Sequence, residues 1–481
     1  EKPVEGNAKG RKIAKSLQES NVFVIEEKPQ NEQVETLDSL EKELRDVQSK
    51  TDPTQKEAAL KNLVVKLCDR YPEIIWLSEK THVTPEGIKS STDDKISVKM
   101  FGESHVEFDK TVVSVFCLFW VLKNDRASFT QCQRPDVALS EKSWEALKEY
   151  VLKVCPKEED VEALMVFTVL NDLGKVVKVV EYVAARTGVE QLDHDKILWM
   201  GLNTMPGIFP SYARLPQQFK KWLLEGLAAQ FNFAQFVQGE SVPASLTGLK
   251  GVSKEALDLF NMHALFDMAG AAGQFNWHGS LVITEPTYND CFMTIAAIET
   301  LKDGASVKQV YDTYLHKRAV SLGFDIRFPT QRALTRICCL LRLHTRQEAD
   351  KVRKAYENLP ADTWTLLRRE LNTTGIQDGT AILLYYAPAL MVNVNAARKA
   401  ELQSSEALFV EAIEAGLKIM AGCFIAARKH VEENHITNPV FTADINDVAG
   451  KVRVTKNWNS MEFYVTAVGE DGIIRAKIAE H

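Results

Sequence analysis

The sequence predicts an all-α protein, and three observations carry that prediction. Apolar residues recur at helical spacing through most of residues 56–437. Helix starts carry a hydroxyl residue ahead of an acidic first turn, as in Ser140-Glu-Lys-Ser and Ser253-Lys-Glu-Ala. Strand-like patterning is confined to residues 438–481.

The elements follow in order. Residues 1–55 form a polar arm that ends in an exposed helix, Val34–Ser49, with too little apolar area to fold alone. Lys56–Tyr71 opens the body, with Ala59, Leu60, Leu63, Val64 and Leu67 at helical spacing. Thr111–Leu122 is the most apolar run; its 12 residues suit a buried helix and fall short of a bilayer span. Helical periodicity continues in Trp144–Val154, Glu159–Leu170, Gln217–Ala229, Lys254–Ala272, Tyr288–Lys302, Ser306–Val320 and residues 405–432. Residues 201–216 hold three prolines and two glycines, which interrupt any helix, so a loop is expected between two helical blocks. In the tail, Lys451–Thr455, Glu462–Val468 and Gly472–Ile478 read as strands, and the turns between them predict a small antiparallel meander. The plan is therefore an arm (1–55), a helical body (56–437) and a β-rich tail (438–481).

Composition narrows the function classes. A chain of 481 residues with 45% hydrophobic and 26% charged residues buries a core without staples. The net charge of -7 leaves no basic excess for phosphates, which argues against nucleic acid as a partner. No apolar run supports membrane insertion. The eight cysteines are scattered and form no C-x-x-C pair, which rules out zinc-finger spacing. Adjacent Cys338 and Cys339 suit core packing, and the cysteine usage points to a reducing, intracellular setting, cytoplasmic or organellar. The start at Glu-Lys-Pro is compatible with a removed targeting peptide.

One constellation points to chemistry. Asn171-Asp172-Leu173-Gly174-Lys175 closes an apolar helix. Asp193-His194-Asp195 follows, and then His263 and Asp267, whose spacing of four puts them on one helix face. The small run Ala269–Gly273 permits close helix approach. Each piece also fits a plainer role. Asn171-Asp172 suits a helix end, Asp193-His194-Asp195 an N-cap, and His263–Asp267 a surface ion pair.

Asn171–Lys175 resembles the His-Asp-Leu-Gly-Lys signature of the HD-domain superfamily, an all-α group that includes metal-dependent phosphohydrolases and di-iron oxygenases. Asp172, Gly174 and Lys175 match that signature, whereas Asn171 stands where the family has His. The resemblance covers about 160–280. The fuller combination also resembles an uncharacterised eukaryotic family over roughly 160–400. The HD resemblance implies an HD-like helical body. It also implies a divalent metal (Fe, Mn or Zn) held by Asn171, Asp172, His194, Asp195, His263 and Asp267, with Lys175 neutralising a phosphate or carboxylate. The sequence departs from the pattern upstream, where His105 is the nearest histidine before His194.

Two further groups have candidate roles. Asn232, Gln235 and Gln238 alternate with phenylalanines and suit either a pocket lining or the edge of an amphipathic helix. His278, after Trp277, suits a general base or a cap. Two functions follow from this reading. One is a non-catalytic HD-like pseudoenzyme that binds a protein partner or assembles with itself, docking through the arm and tail. The alternative is a metal-dependent HD-domain enzyme with a variant ligand set.

Overall fold

The computed structural model describes residues 36–81, 94–188, 194–401, 406–453, 461–466 and 474–480. Helix dominates, as the periodicity predicts. The chain divides into two compact units, Glu1–Gln230 with Val252–Tyr288, and Phe231–Gly251 with Asn289–His481.

In the first unit, α1 (Leu37–Ser49) starts at Thr36, whose side chain accepts from Ser39 N. Sequence reasoning expects an exposed helix here. Leu37, Leu40, Leu44 and Val47 are instead buried, and α1 packs on α2 (Pro53–Arg70). The four apolar positions form a stripe narrow enough to escape a composition argument yet sufficient to dock. The buried helix expected around Thr111–Leu122 is α3 (Val106–Leu122). Beside it lie α4 (Glu158–Leu170) and the later helix α8 (Lys254–Gly270). The small residues expected to allow close approach do so. A Cβ on Gly270 would fall 2.1 Å from Ser114 Oγ, and one on Gly273 would fall 2.5 Å from the Asp109 carbonyl.

The 3₁₀ turn Asn171–Lys175 links α4 to α5 (Val177–Thr187), and α6 (His194–Thr204) packs across that turn. The expected loop at 201–216 is more structured than predicted. Helix α6 runs on to Thr204, and Pro206 and Pro210 each open a new short turn, Pro206–Ile208 and Pro210–Arg214. Proline breaks a helix yet suits the first position of the next one. Helix α7 (Gln217–Ala228) then packs on α8.

The second unit contains α9 (Glu285–Glu299) from Asn289 onward, α10 (Val307–Leu322), α11 (Pro329–Leu340), α12 (Arg346–Glu357) and α13 (Ala361–Asn372). Strand β1 (Ala381–Tyr385) leads into α14 (Ala387–Glu401), followed by the long α15 (Glu406–Glu433), β2 (Val440–Asp444), α16 (Asn446–Lys451), β3 (Met461–Thr466) and β4 (Ile474–Glu480). Ile337, Leu367, Leu390, Leu417 and Phe441 share its core.

The strands form one sheet in the order β1-β2-β4-β3. The β3–β4 pair is antiparallel, as the tail's turns predict, with Met461 opposite Glu480. The β1–β2 and β2–β4 pairs are parallel, so the sheet is mixed and wider than the expected meander. Ala381–Tyr385 lies in a stretch expected to be helical, because a five-residue apolar run has no period that separates strand from buried helix. The strand expected at Lys451–Thr455 begins on the last residue of α16, where Val448, Ala449 and Val452 are buried at helical spacing; residues 454 and 455 lie outside the described residues.

A buried arginine and a buried glutamate fix the passage from β1 to α14. Arg336 donates to the carbonyls of Gly239, Glu240, Ser241 and Leu371, and so clamps the loop that carries Glu240. Glu240 accepts from Tyr386 N at 2.8 Å, where Tyr386 turns the strand into the helix at φ 77°. Burial pushes the Glu240 carboxyl up to about 8, against the pull of the Tyr386 and Ala387 N–H groups.

Candidate functional site

The end of α4 builds the site. Asn171 caps α4, and the 3₁₀ turn then points Asp172 inward, where it is 3% exposed. Gly174 is required for this geometry: a Cβ there would stand 1.9 Å from the His194 carbonyl, so only glycine lets α6 cross the turn. The motif's glycine therefore serves a close backbone approach.

Lys175 occupies the centre. Its Nζ lies 2.5 Å from Asp172 Oδ1 and 3.1 Å from Glu107 Oε2. Lys110, one turn along α3, reaches Glu107 Oε1 at 3.3 Å. Glu107 and Asp172 also share a hydrogen bond. Asp267, on α8, feels the charges of Lys175, Lys110, Glu107 and Asp195. Burial acts to raise the Asp172 carboxyl, but Lys175, the hydrogen bond with Glu107 and Lys110 outweigh it and hold it below the usual range. Burial raises the carboxyls of Glu107, assisted by the neighbouring Asp172 charge, and of Asp267. Burial also disfavours the Lys175 ammonium, yet Asp172, Glu107 and Asp267 keep it charged far beyond its ordinary range.

The other expected ligands are distributed around this centre. Asp195 contributes charge to it from α6, and His194 Nε2 lies 3.2 Å from Asp195 Oδ1. The Asn171 amide reaches Asp172 only at 3.5 Å, the outer limit of a hydrogen bond. His263 is 3% exposed and stacks on Phe167, with ring centroids 4.1 Å apart. Burial drives its pKa down to about 3, so it is neutral, and Nδ1 has no hydrogen-bond partner among the described residues. His105 begins α3 with its ring edge-on to Phe101.

The remaining candidates lie elsewhere. His278 Nε2 pairs with Asp94 Oδ2 at 2.8 Å; Trp277 Nε1 and Lys99 Nζ share the same carboxylate. That group is separate from the Asp172 cluster in its hydrogen bonds. Asn232 caps Phe233–Val237 through Gln235 N, and Gln238 accepts from Arg342 and donates to the Ala234 carbonyl. Both amides are thus engaged in local structure in the second unit.

Sequence reasoning missed Glu107 and Lys110. The available signal was an acidic residue and a lysine at the head of the most apolar helix, where charge is costly unless paired.

The Family of unknown function DUF6829 matches residues 69–456. The chain belongs to that family. The match contains every member of the cluster and leaves α1 outside. No curated protein and no solved structure matches the chain.

The resemblance to the HD signature implies a divalent metal at this turn. Among the described residues, no three His, Cys, Asp or Glu side chains are arranged to hold one. The point between Asp172 and Glu107 is filled by the Lys175 ammonium, and a second cation there would meet its charge directly. The His263 ring stacks on Phe167 and is not among any three such side chains that could hold a metal among the described residues. The residues present do not fit a metal in that position.

Proposed function

We propose that this protein is a non-catalytic member of an HD-like architecture that acts by binding a protein partner or by self-assembly. The observation that carries this reading is the lodging of Lys175 between Asp172 and Glu107. An ammonium group neutralises the carboxylates and occupies the point between them. It also ties the motif turn to α3, so the charged residues stabilise the shell instead of presenting a reactive centre. The order of the elements supports the HD-like part: an apolar helix ending in Asn-Asp-Leu-Gly-Lys, then a crossing helix with His194-Asp195, then Asp267 beside a run of small residues.

One observation favours the alternative, a metal-dependent enzyme with a variant ligand set. His263 keeps an unpartnered Nδ1 one turn from Asp267. Elemental analysis of the purified native chain separates the two. The binding reading predicts well under one equivalent of Fe, Mn or Zn, in both the native protein and Asp172→Asn. One equivalent that disappears in a folded Asp172→Asn variant would establish the enzyme reading.

A further inference from the structure

The second unit carries a pair of cations that the site above does not use. Glu370, on α13, is buried and accepts from two arginines. Arg428, on α15, donates from Nε to Glu370 Oε1 at 3.2 Å and from Nη2 to Oε2 at 2.6 Å. Arg369 donates from Nε and Nη2 to the same Oε1, at 3.0 and 2.7 Å. The two guanidiniums therefore sit side by side around one oxygen.

One guanidinium neutralises one carboxylate, and Arg428 already grips Glu370 with two parallel N–H groups. Arg369 is a second cation that the packing of α13 on α15 does not need. Its side chain is 60% exposed, against 18% for Arg428. Among the described residues, neither arginine pairs with a carboxylate other than Glu370. Two cations against one anion leave a charge of +1 at the surface. Each guanidinium also keeps N–H donors that Glu370 does not use. A second carboxylate balances that charge and matches the planar fork of arginine. A phosphate monoester, at about -1.5 to -2, overshoots it. Ile425 lies three residues before Arg428 on the same face of α15 and is 57% exposed, so an apolar surface adjoins the cations.

We propose that Arg369 and Arg428 form a carboxylate-binding site for an acidic side chain on a peptide segment of a protein partner, with Ile425 receiving a neighbouring apolar side chain. The proposal rests on the reading of this protein as a binding protein and names the chemistry of its partner. Metal content of the first unit and peptide binding by the second are separate measurements, so the failure of one is distinguishable from the failure of the other.

Fluorescence anisotropy tests the site, with a dye-labelled, acetylated peptide of alternating glutamate and leucine titrated with the whole native chain. The native chain is expected to bind this peptide at least about ten-fold more tightly than a counterpart with glutamine in place of glutamate, a comparison that needs no variant. Arg369→Gln removes the exposed cation and leaves Glu370 paired with Arg428. It is expected to weaken binding about ten- to hundred-fold, the effect of losing hydrogen bonds to a charged group, with an unchanged melting curve. Arg369→Lys keeps the charge without the fork and recovers only part of that loss. No binding by the native chain, equal binding of the two peptides, or equal binding by the native and Arg369→Gln chains overturns the proposal. Displacement of the peptide by inorganic phosphate at a lower concentration than by acetate also overturns it, in favour of a phosphate site.

Discussion

Replacing Lys175 with methionine keeps the length of the side chain and removes its charge. Asp172 and Glu107, each with only 4% of the side chain exposed, then lose the cation between them, and Lys110 remains on Glu107 alone. Breaking a buried charge pair by removing one partner costs about 3–5 kcal/mol. For a unit of this size each kcal/mol is worth about 2–4 °C, so the melting transition of the first unit falls by roughly 6–20 °C at pH 7. Scanning calorimetry of native and variant chains measures this. The pH dependence supplies a second check. The Glu107 and Asp267 carboxyls already sit above the usual range, so acid protonates them early and relieves the unpaired charge. The deficit therefore narrows as the pH falls below 7. A variant that melts within a degree of the native protein, or one whose deficit widens in acid, would refute the claim that Lys175 neutralises this cluster.

Three further outcomes follow. Glu240 has a folded pKa of about 8 against an ordinary 4.5, so the fold retains a proton that the unfolded chain releases; stability of the second unit falls as pH rises from 4.5 to 8, by up to about 5 kcal/mol, and Glu240→Gln flattens that slope in urea titrations run across the range. His263 is depressed from 6.5 to about 3, so the first unit loses stability as pH falls through that window, again by up to about 5 kcal/mol; His263→Phe, which keeps an aromatic ring against Phe167, removes the loss, and acid unfolding followed by circular dichroism shows it. Gly174→Ala places a methyl group against the His194 carbonyl and lowers stability by about 1–3 kcal/mol or more, read as an earlier urea midpoint, while an alanine at Gly207, which has nothing within 4 Å, leaves the midpoint nearly unchanged.

Much of the fold was legible because long amphipathic helices declare themselves. Trp144–Val154 and Gln217–Ala229 correspond to Glu141–Val154 and Gln217–Ala228. Short segments were harder. Five apolar residues at Ala381–Tyr385 become a strand only because Val440–Asp444, some sixty residues on, pairs with them in parallel, and no local pattern encodes that partner. The site was half legible. The motif turn identified Asp172 and Lys175, and helical spacing identified Asp267. The partner that gives Lys175 its role, Glu107, lies 68 residues before it, and only the packing of α3 against the motif turn brings the two together. Composition likewise could not show that α1, read as exposed, buries one face, since burial depends on a neighbour and not on the helix alone.

The central claim is that an ammonium group, not a metal, sits among Asp172, Glu107 and Asp267. Crystals of the native chain, grown with Mn, Fe or Zn present and measured at each metal's absorption edge, test it most directly. The account predicts no anomalous peak between Asp172 and Glu107, and density for the Lys175 side chain ending there. A strong anomalous peak at that point, with carboxylate oxygens about 2.0–2.2 Å away and Lys175 displaced, would contradict it.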